Sequence, residues 1–329
     1  MSRKPKRSGE FELIAKYFAP LAKGEPGALG LRDDAAYLKP RLGHDLVLTT
    51  DAIVAGVHFL PGDPPETVGQ KALRVNLSDL AAKGAVPRGY LLTLTLPGDI
   101  EEAWLAAFAK GLKADQAKFD IALLGGDTTA TPGVTTVNIT AVGEVPHGNM
   151  LTRGGAQTGD DVWVTGTIGD AVLGLKLLKG DSLDLSNAHR LSLVARYRVP
   201  EPRSAIGPRL VGLAHACIDV SDGLIADLGH VSEVSKVGIE VAVRDVPLSA
   251  AAKAAVRQSV EIGELLSGGD DYELAFAAPA PARARLLSLA AETGVALTRI
   301  GRVVKGRGVT ILAADGKSVR FGRPGYTHF

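Results

Sequence analysis

Short apolar runs that stop on an aspartate or on a glycine pair recur along the chain. That pattern confines it to folds in which strands alternate with helices. The run DLVLTT (45–50) leads straight into Asp51, and the apolar run 121–124 is closed by Gly125-Gly126-Asp127. The stretch 216–230 starts as a strand, turns at Asp219-Val220-Ser221-Asp222-Gly223 and becomes a helix. Strands are also expected at 90–96, 134–145, 162–165, 239–243, 274–277, 299–304 and 310–313, where Val, Ile and Thr concentrate. Helical spacing marks 66–83, 100–117, 169–178 and 280–293. It also marks 10–21, where Phe11, Ile14, Ala15 and Phe18 form one apolar face. The alternation indicates α/β and α+β architecture. A length of 329 residues suits two domains, and the polar, glycine-containing loop 147–161 reads as their junction.

Composition removes several classes of function. The formal net charge is +1, so no global field points to nucleic acid or to a membrane surface. No apolar run approaches the length needed to cross a bilayer. The basic start, residues 1–7, is followed by no apolar segment; it reads as a solvated tail and not as a secretory signal. The single cysteine, Cys217, excludes an internal disulfide and reads as a small buried hydrophobe. A cytoplasmic protein is expected.

The informative residues are acidic and stand beside glycines or hydroxyls. They are Asp33 and Asp34, Asp51 behind Thr49 and Thr50, Asp79 in NLSD, Asp127 ahead of two threonines, Asp219 and Asp222 around Ser221, and Asp270 and Asp271 behind Gly268-Gly269. Strand-end carboxylates of an open sheet are placed to meet in one crevice. Hard oxygen donors of this kind suit magnesium, which takes a few carboxylates, waters and substrate phosphates. One cysteine and no spaced histidine pair argue against zinc. Isolated aspartates such as Asp63, Asp99 and Asp181 read as turn formers. Gly125-Gly126 and Gly268-Gly269 would let backbone approach a phosphate closely. Arg153, in a glycine-rich loop, is either a phosphate clamp or a solvated charge. His58 is either a substrate contact or a structural histidine. Neither a GxxxxGK[ST] loop nor a kinase-type GxGxxG is present.

Taken in order, ten segments resemble the thiamine-monophosphate kinases, a family within the aminoimidazole ribonucleotide synthetase and selenophosphate synthetase superfamily. They are GEFELIAKYF, LRDDAAYL, LTTDAIVAGVHF, KALRVNLSDLAAKGA, LLGGDTT, LTRGGAQTGD, VTGTIGDA, IDVSDGLIADLGH, LLSGGDDYEL and the closing GYTHF, spanning residues 9–329. The resemblance implies a two-domain fold like that of aminoimidazole ribonucleotide synthetase. Residues 1–147 would form an α/β, ATP- and metal-binding, dimerising domain whose sheet joins a partner's to form a barrel. Residues 148–329 would form an α+β domain that completes the active site. The implied reaction is in-line transfer of the γ-phosphoryl group of ATP to thiamine monophosphate, with several Mg²⁺ ions and no covalent nucleophile from the protein. By the same resemblance Asp34, Thr49, Thr50, Asp51, Asp79, Asp127, Asp219 and Asp222 would hold magnesium. Gly126, Asp127, Arg153 and Ser221 would contact ATP. His58, Asp270 and Tyr326 would face thiamine monophosphate.

Two positions depart from the family pattern. Asp270 stands where GGEDYEL has glutamate, one methylene longer, and Arg323-Pro324 stand where an aromatic residue is common. Another synthetase of the superfamily is one alternative, although no cysteine precedes residue 217 to serve selenophosphate synthesis. A non-catalytic nucleotide-binding regulator is another, against which the full aspartate set argues.

Overall fold

The computed structural model describes residues 9–319, 325 and 326. The basic start, Arg323-Pro324 and the last three residues of GYTHF lie outside them. The chain divides into two compact units. One comprises Met1–Asn76 and Pro87–Glu144, the other Leu77–Val86 and Val145–Phe329.

The first unit opens with one α-helical turn, α1 (Glu10–Leu13), continued by a π-turn at Ile14–Phe18 and a 3-10 turn at Ala19–Ala22. The expected apolar face is therefore rotated. Leu13, Phe18 and Leu21 are buried, while Phe11 is 82% exposed. The wider π winding spaces inward residues by about five positions rather than three or four, which carries Phe11 out of phase.

There follow β1 (His44–Val54), α2 (Pro65–Ala82), β2 (Val86–Pro97), α3 (Glu102–Phe119), β3 (Ala122–Thr131) and β4 (Thr136–Pro146). The four strands form a sheet in the order β1-β4-β2-β3, with β3 parallel to β2 and the helix α3 between them in sequence. Two strands run further than the sequence suggests. β1 passes through Asp51 to Val54, and β3 passes through Asp127 to Thr131. In β1 the period of two holds past the aspartate, since Val47 and Ile53 are both buried. In β3 a bulge intervenes: the register steps from Tyr90↔Leu123 to Leu91↔Gly125 and leaves Leu124 extra. Leu123 and Leu124 are consequently both buried, and Asp127 comes level with Thr93 and exposed.

Helices α2 and α3 are tied by a buried ion pair. Arg74 donates to Asp115 from Nε at 2.6 Å and Nη2 at 2.8 Å, and Gln70 adds a third bond at 3.1 Å. Both charges are almost wholly buried. Asp115 also lies near the buried hydroxyl of Tyr90, whose pKa is raised by burial first and by that carboxylate second.

The second unit contains β5 (Asp161–Thr165), α4 (Asp170–Leu178), α5 (Asn187–Arg198), β6 (Ala216–Val220), α6 (Leu224–Ser235), β7 (Gly238–Ala242), α7 (Ala250–Arg257), α8 (Ile262–Ser267), β8 (Glu273–Ala278), α9 (Arg283–Thr293), β9 (Leu297–Val304), β10 (Gly308–Leu312) and β11 (Ser318–Val319). Its seven strands run in the order β11-β10-β7-β9-β5-β8-β6. β7 and β10 are parallel; β5, β6, β8 and β9 pair antiparallel. Every residue of β6 and β8 is buried, because apolar side chains cover both faces of the sheet. Ile218 and Val220 belong to one core, and Cys217 and Phe276 to another that includes Ala81 and Ala82 at the end of α2. By the period of two, Asp219 shares the face of Cys217 and so points toward that end of α2. This is how a carboxylate comes to be enclosed in an apolar strand.

Two measurements test this packing. Asp115→Asn strands the Arg74 charge in the interior and should cost about 3–5 kcal/mol of stability in urea titration; a loss under about 1 kcal/mol would show the pair to be screened by water. Burial pushes the Cys217 thiol up to about 12, so at mildly alkaline pH iodoacetamide should label it only after the chain is denatured. Labelling of the native protein at the rate of a free thiol would contradict the burial.

Candidate functional site

In the first unit the acidic residues occupy opposite edges of one sheet. Asp51 sits on β1, half-buried, and its N–H donates to Asn76 Oδ1 at 3.1 Å. Asn76 is fully buried on α2 and is itself oriented by a bond from Nδ2 to the carbonyl of Ala72 at 3.0 Å. Thr49 lies on the same face of β1 as Asp51. Thr50 faces the other way, where its hydroxyl pairs with Thr140 Oγ1 at 3.0 Å. The Thr50 hydroxyl is therefore turned away from Asp51. Asp127 belongs to β3, across two intervening strands, roughly 14 Å along the sheet at about 4.8 Å per step. The two aspartates thus stand on opposite edge strands of the sheet.

Gly126 precedes Asp127 at the point of closest backbone approach. A Cβ there would lie 1.8 Å from the carbonyl oxygen of Leu92, so no larger residue fits. Asp34 is exposed in a loop, where its N–H donates to Asp33 Oδ1 at 2.8 Å. His58 follows β1; its Nδ1 accepts from the N–H of Val54 at 3.1 Å, so a proton on the neutral ring sits on Nε2. The carbonyl of His58 receives Nζ of the buried Lys71 at 2.8 Å.

In the second unit four carboxylates stand in sequence through space: Asp79 on α2, Asp219 on β6, Asp227 on α6 and Asp222 in the turn between β6 and α6. Ser78 donates to Asp219 Oδ2 at 2.8 Å. Burial raises the Asp219 pKa, and the charges of Asp79 and Asp227 raise it further; Ser78 and Lys83 oppose the shift. Asp227 is pushed up to about 7, by burial first and by Asp222 second. Its Oδ2 accepts the N–H groups of Ser221, Asp222 and Gly223, each at 3.1 Å. Those amides face their own chain's carboxylate, so Ser221 can meet a phosphate only through its hydroxyl.

A second loop, 268–272, lies against this turn. The N–H of Asp270 donates to the carbonyl of Ser221 and that of Tyr272 to Val220, both at 2.8 Å. A Cβ on Gly269 would come within 2.4 Å of the Ser221 oxygen. Tyr326, 49% exposed, joins the same place through its N–H, which donates to the carbonyl of Asp222 at 3.0 Å. The turn thus gathers Ser221, Asp222, Asp270 and Tyr326. Arg153 is exposed in its loop, and its carbonyl accepts from Ser235 Oγ at 3.4 Å.

Among the described residues, no three side chains of His, Cys, Asp or Glu are arranged to hold one ion. The donor set nevertheless fits magnesium. The neighbouring strand provides the comparison. Glu273, also buried, is neutralised by Arg196 and Arg203 and bonded by Thr165 Oγ1 at 2.6 Å. Asp219 instead has a hydroxyl, Lys83 at longer range and two further carboxylates. A region of surplus negative charge built from hard oxygen donors is suited to a divalent cation, which needs only one or two carboxylates beside substrate phosphate.

Sequence reasoning did not single out Ser78, Asn76 or Asp227, and it named Asp271 only as the neighbour of Asp270, with no role of its own. Asp227 carried a usable signal, an acidic residue in the first turn of a helix after a DxSDG turn. For the Asp270-Asp271 pair no sequence signal says which of the two is buried.

Residues 32–145 match the model of the AIR synthase related protein N-terminal domain, and residues 157–313 that of its C-terminal domain. A thiamine-monophosphate kinase of Caulobacter vibrioides is 44% identical over 97% of this chain and 90% of its own length. This chain belongs to the thiamine-monophosphate kinase family. A crystal structure of the thiamine-monophosphate kinase from Stenotrophomonas maltophilia superposes with a TM-score of 0.84 at 42% identity, covering 94% of this chain and 98% of that one. AaThiL complexed with AMPPCP and TMP superposes with a TM-score of 0.78 at 33% identity, covering 98% and 99%. The two-domain α/β fold of the family is thus the fold of this chain, and the family is one of kinases.

At pH 9, above the pKa of about 8 to which burial and its neighbours raise Asp219, removing that charge from the crowded carboxylates should relieve repulsion. Metal-free Asp219→Asn keeps an acceptor for Ser78 and should melt at or above the wild-type temperature in scanning fluorimetry. A fall of several degrees would show that the Asp219 charge is already balanced within the fold.

Proposed function

We propose that the chain transfers the γ-phosphoryl group of ATP to thiamine monophosphate, giving thiamine diphosphate and ADP. The observation that carries this reading is the likeness, over 98% of the chain, to AaThiL complexed with AMPPCP and TMP. AMPPCP is an ATP analogue that cannot release its γ-phosphoryl group, so an acceptor and a donor of the reaction stand together in that relative.

Two anionic reactants must be brought into line, so the task is positioning and charge neutralisation. A phosphate oxygen of thiamine monophosphate attacks the γ-phosphorus, the bond from that phosphorus to the β,γ-bridging oxygen breaks, and ADP leaves with the electron pair. No side chain need form a covalent intermediate. Asp34, Thr49, Asp51, Asp79, Asp127, Asp219 and Asp222, with the carbonyl of Thr50, are assigned to Mg²⁺, which supplies the positive charge that phosphoryl transfer requires. Gly126, Asp127, Arg153 and the hydroxyl of Ser221 are assigned to ATP. His58, Asp270 and Tyr326 are assigned to thiamine monophosphate. Asp270 is one methylene shorter than the family's glutamate, and its half-buried place on the Ser221 turn supports its reaching the substrate side. Tyr326 offers a ring for stacking on the thiamine heterocycle.

The active protein is proposed to be a homodimer. Leu46 and Leu48 project from the outward face of β1, 39% and 65% exposed, and a second copy would cover them by closing two such sheets into a barrel. Residues 1–147 then supply nucleotide and metal binding and dimerisation, and residues 148–329 complete the site. Among the described residues no helix is long and apolar enough to cross a membrane. A buried, unpaired Cys217 suits residence in the cytoplasm.

The test is release of ADP that depends on thiamine monophosphate. Asp127→Asn, at an exposed site, should lower kcat by about 10²–10³-fold with the melting temperature unchanged, measured by a coupled ADP assay. Wild-type turnover in that variant would remove Asp127 from the reaction. ADP release indifferent to thiamine monophosphate would remove the substrate assignment.

A further inference from the structure

Asp270 and Asp271 are adjacent in sequence and have opposite fates. Asp270 is half-buried on the Ser221 turn, while Asp271 is fully buried and faces the other way. Asp271 Oδ2 accepts the N–H of Gly169 at 2.7 Å and Oδ1 that of Ala171 at 3.4 Å, both at the start of α4. Its carboxylate therefore caps, from a distant segment, a helix whose own N-cap residue, Gly169, has no side chain for the purpose. Its carbonyl oxygen accepts from Arg196 Nη2 at 3.0 Å, and the same nitrogen reaches Glu273 Oε1 at 2.8 Å.

The backbone on either side is strained. Asp270 has φ 70° and Tyr272 φ 51°, left-handed values that are unfavourable for a non-glycine residue. Such conformations persist only where the surroundings over-determine them. Here the surroundings are Asp271 inside, held by α4 and Arg196, and the two amides outside, held by Ser221 and Val220. Without the inner anchor the loop would be free to leave the left-handed region, which would turn the Asp270 side chain.

We propose that Asp271 is a positioning residue for thiamine monophosphate: by gripping the N-terminus of α4 and the Arg196 guanidinium, it holds Asp270 in the conformation that presents its carboxylate to the substrate. The proposal rests on the assignment of Asp270 to that substrate. Asp271 touches neither reactant and acts only through its neighbour.

The experiment compares Asp271→Asn, Asp270→Asn and Ser249→Ala, with steady-state KM for each substrate and a melting temperature for each protein. Ser249 bonds Asp170 Oδ1 at 2.5 Å and so anchors the same end of α4 without touching loop 268–272. Asp271→Asn should raise KM for thiamine monophosphate by about tenfold and leave KM for ATP within about twofold. Ser249→Ala should lower the melting temperature while leaving the ratio of the two KM values at its wild-type level. Arg196→Gln, with Arg203 still on Glu273, should give the same selective rise in smaller measure and serves if Asp271→Asn does not fold. Equal shifts in both KM values, no shift, or the same selective rise in Ser249→Ala would overturn the positioning role. If Asp270→Asn raises KM for thiamine monophosphate and Asp271→Asn and Arg196→Gln do not, the inference falls alone. If Asp270→Asn leaves both KM values unchanged, the substrate assignment of Asp270 falls and takes the inference with it.

Discussion

The surplus of negative charge around Asp219 is the constraint on which the functional part of the second unit depends. A carboxylate inside a fully buried strand ordinarily brings its own cation, and Glu273 on the adjacent strand does so with two arginines. Asp219 is enclosed equally well but is surrounded by Asp79 and Asp227, with Ser78 as its hydrogen-bond donor. The fold therefore maintains a charge imbalance at the end of α2 and the turn after β6. A triphosphate and a monophosphate repel one another until positive charge is held between them, and the proposal assigns that charge to this place.

Holding like charges together requires a rigid frame. In the second unit the frame is mostly backbone. The amides of Ser221, Asp222 and Gly223 are taken by Asp227, and those of Asp270 and Tyr272 by the carbonyls of the turn. A turn followed by a helix N-terminus would ordinarily attract an anion. Filling its amides with an internal carboxylate removes that preference, since the donors an anion would use are already taken. The glycines are required by the same close packing, since Gly269 lies where any side chain would strike the Ser221 oxygen.

The first unit solves a different problem. Its sheet carries Asp51 and Asp127 at its two edges, each inside a strand and not at its end. Asp51 is steadied by the buried Asn76, and Asp127 owes its exposure to the bulge at Leu124. Rigid strands place such side chains more precisely than loops can, and the buried Arg74–Asp115 pair fixes the two helices of this unit to one another.

The sequence alone determined the class of fold and the family. Those follow from strings of local pattern: alternating apolar runs, aspartates beside glycines and hydroxyls, and ten motifs in order. It misplaced the helical face at Phe11, because a π-turn changes the winding without a distinctive residue. It ended β1 and β3 too early, because an aspartate looks like a turn until the partner strand is known. It gave no account of α7, whose buried face is made of alanines and shows no large apolar period. Which aspartate of a pair is buried, which carboxylate meets an arginine and which meets another carboxylate were decided only by tertiary structure. Burial and charge balance are sums over residues distant in sequence, and no local pattern contains them.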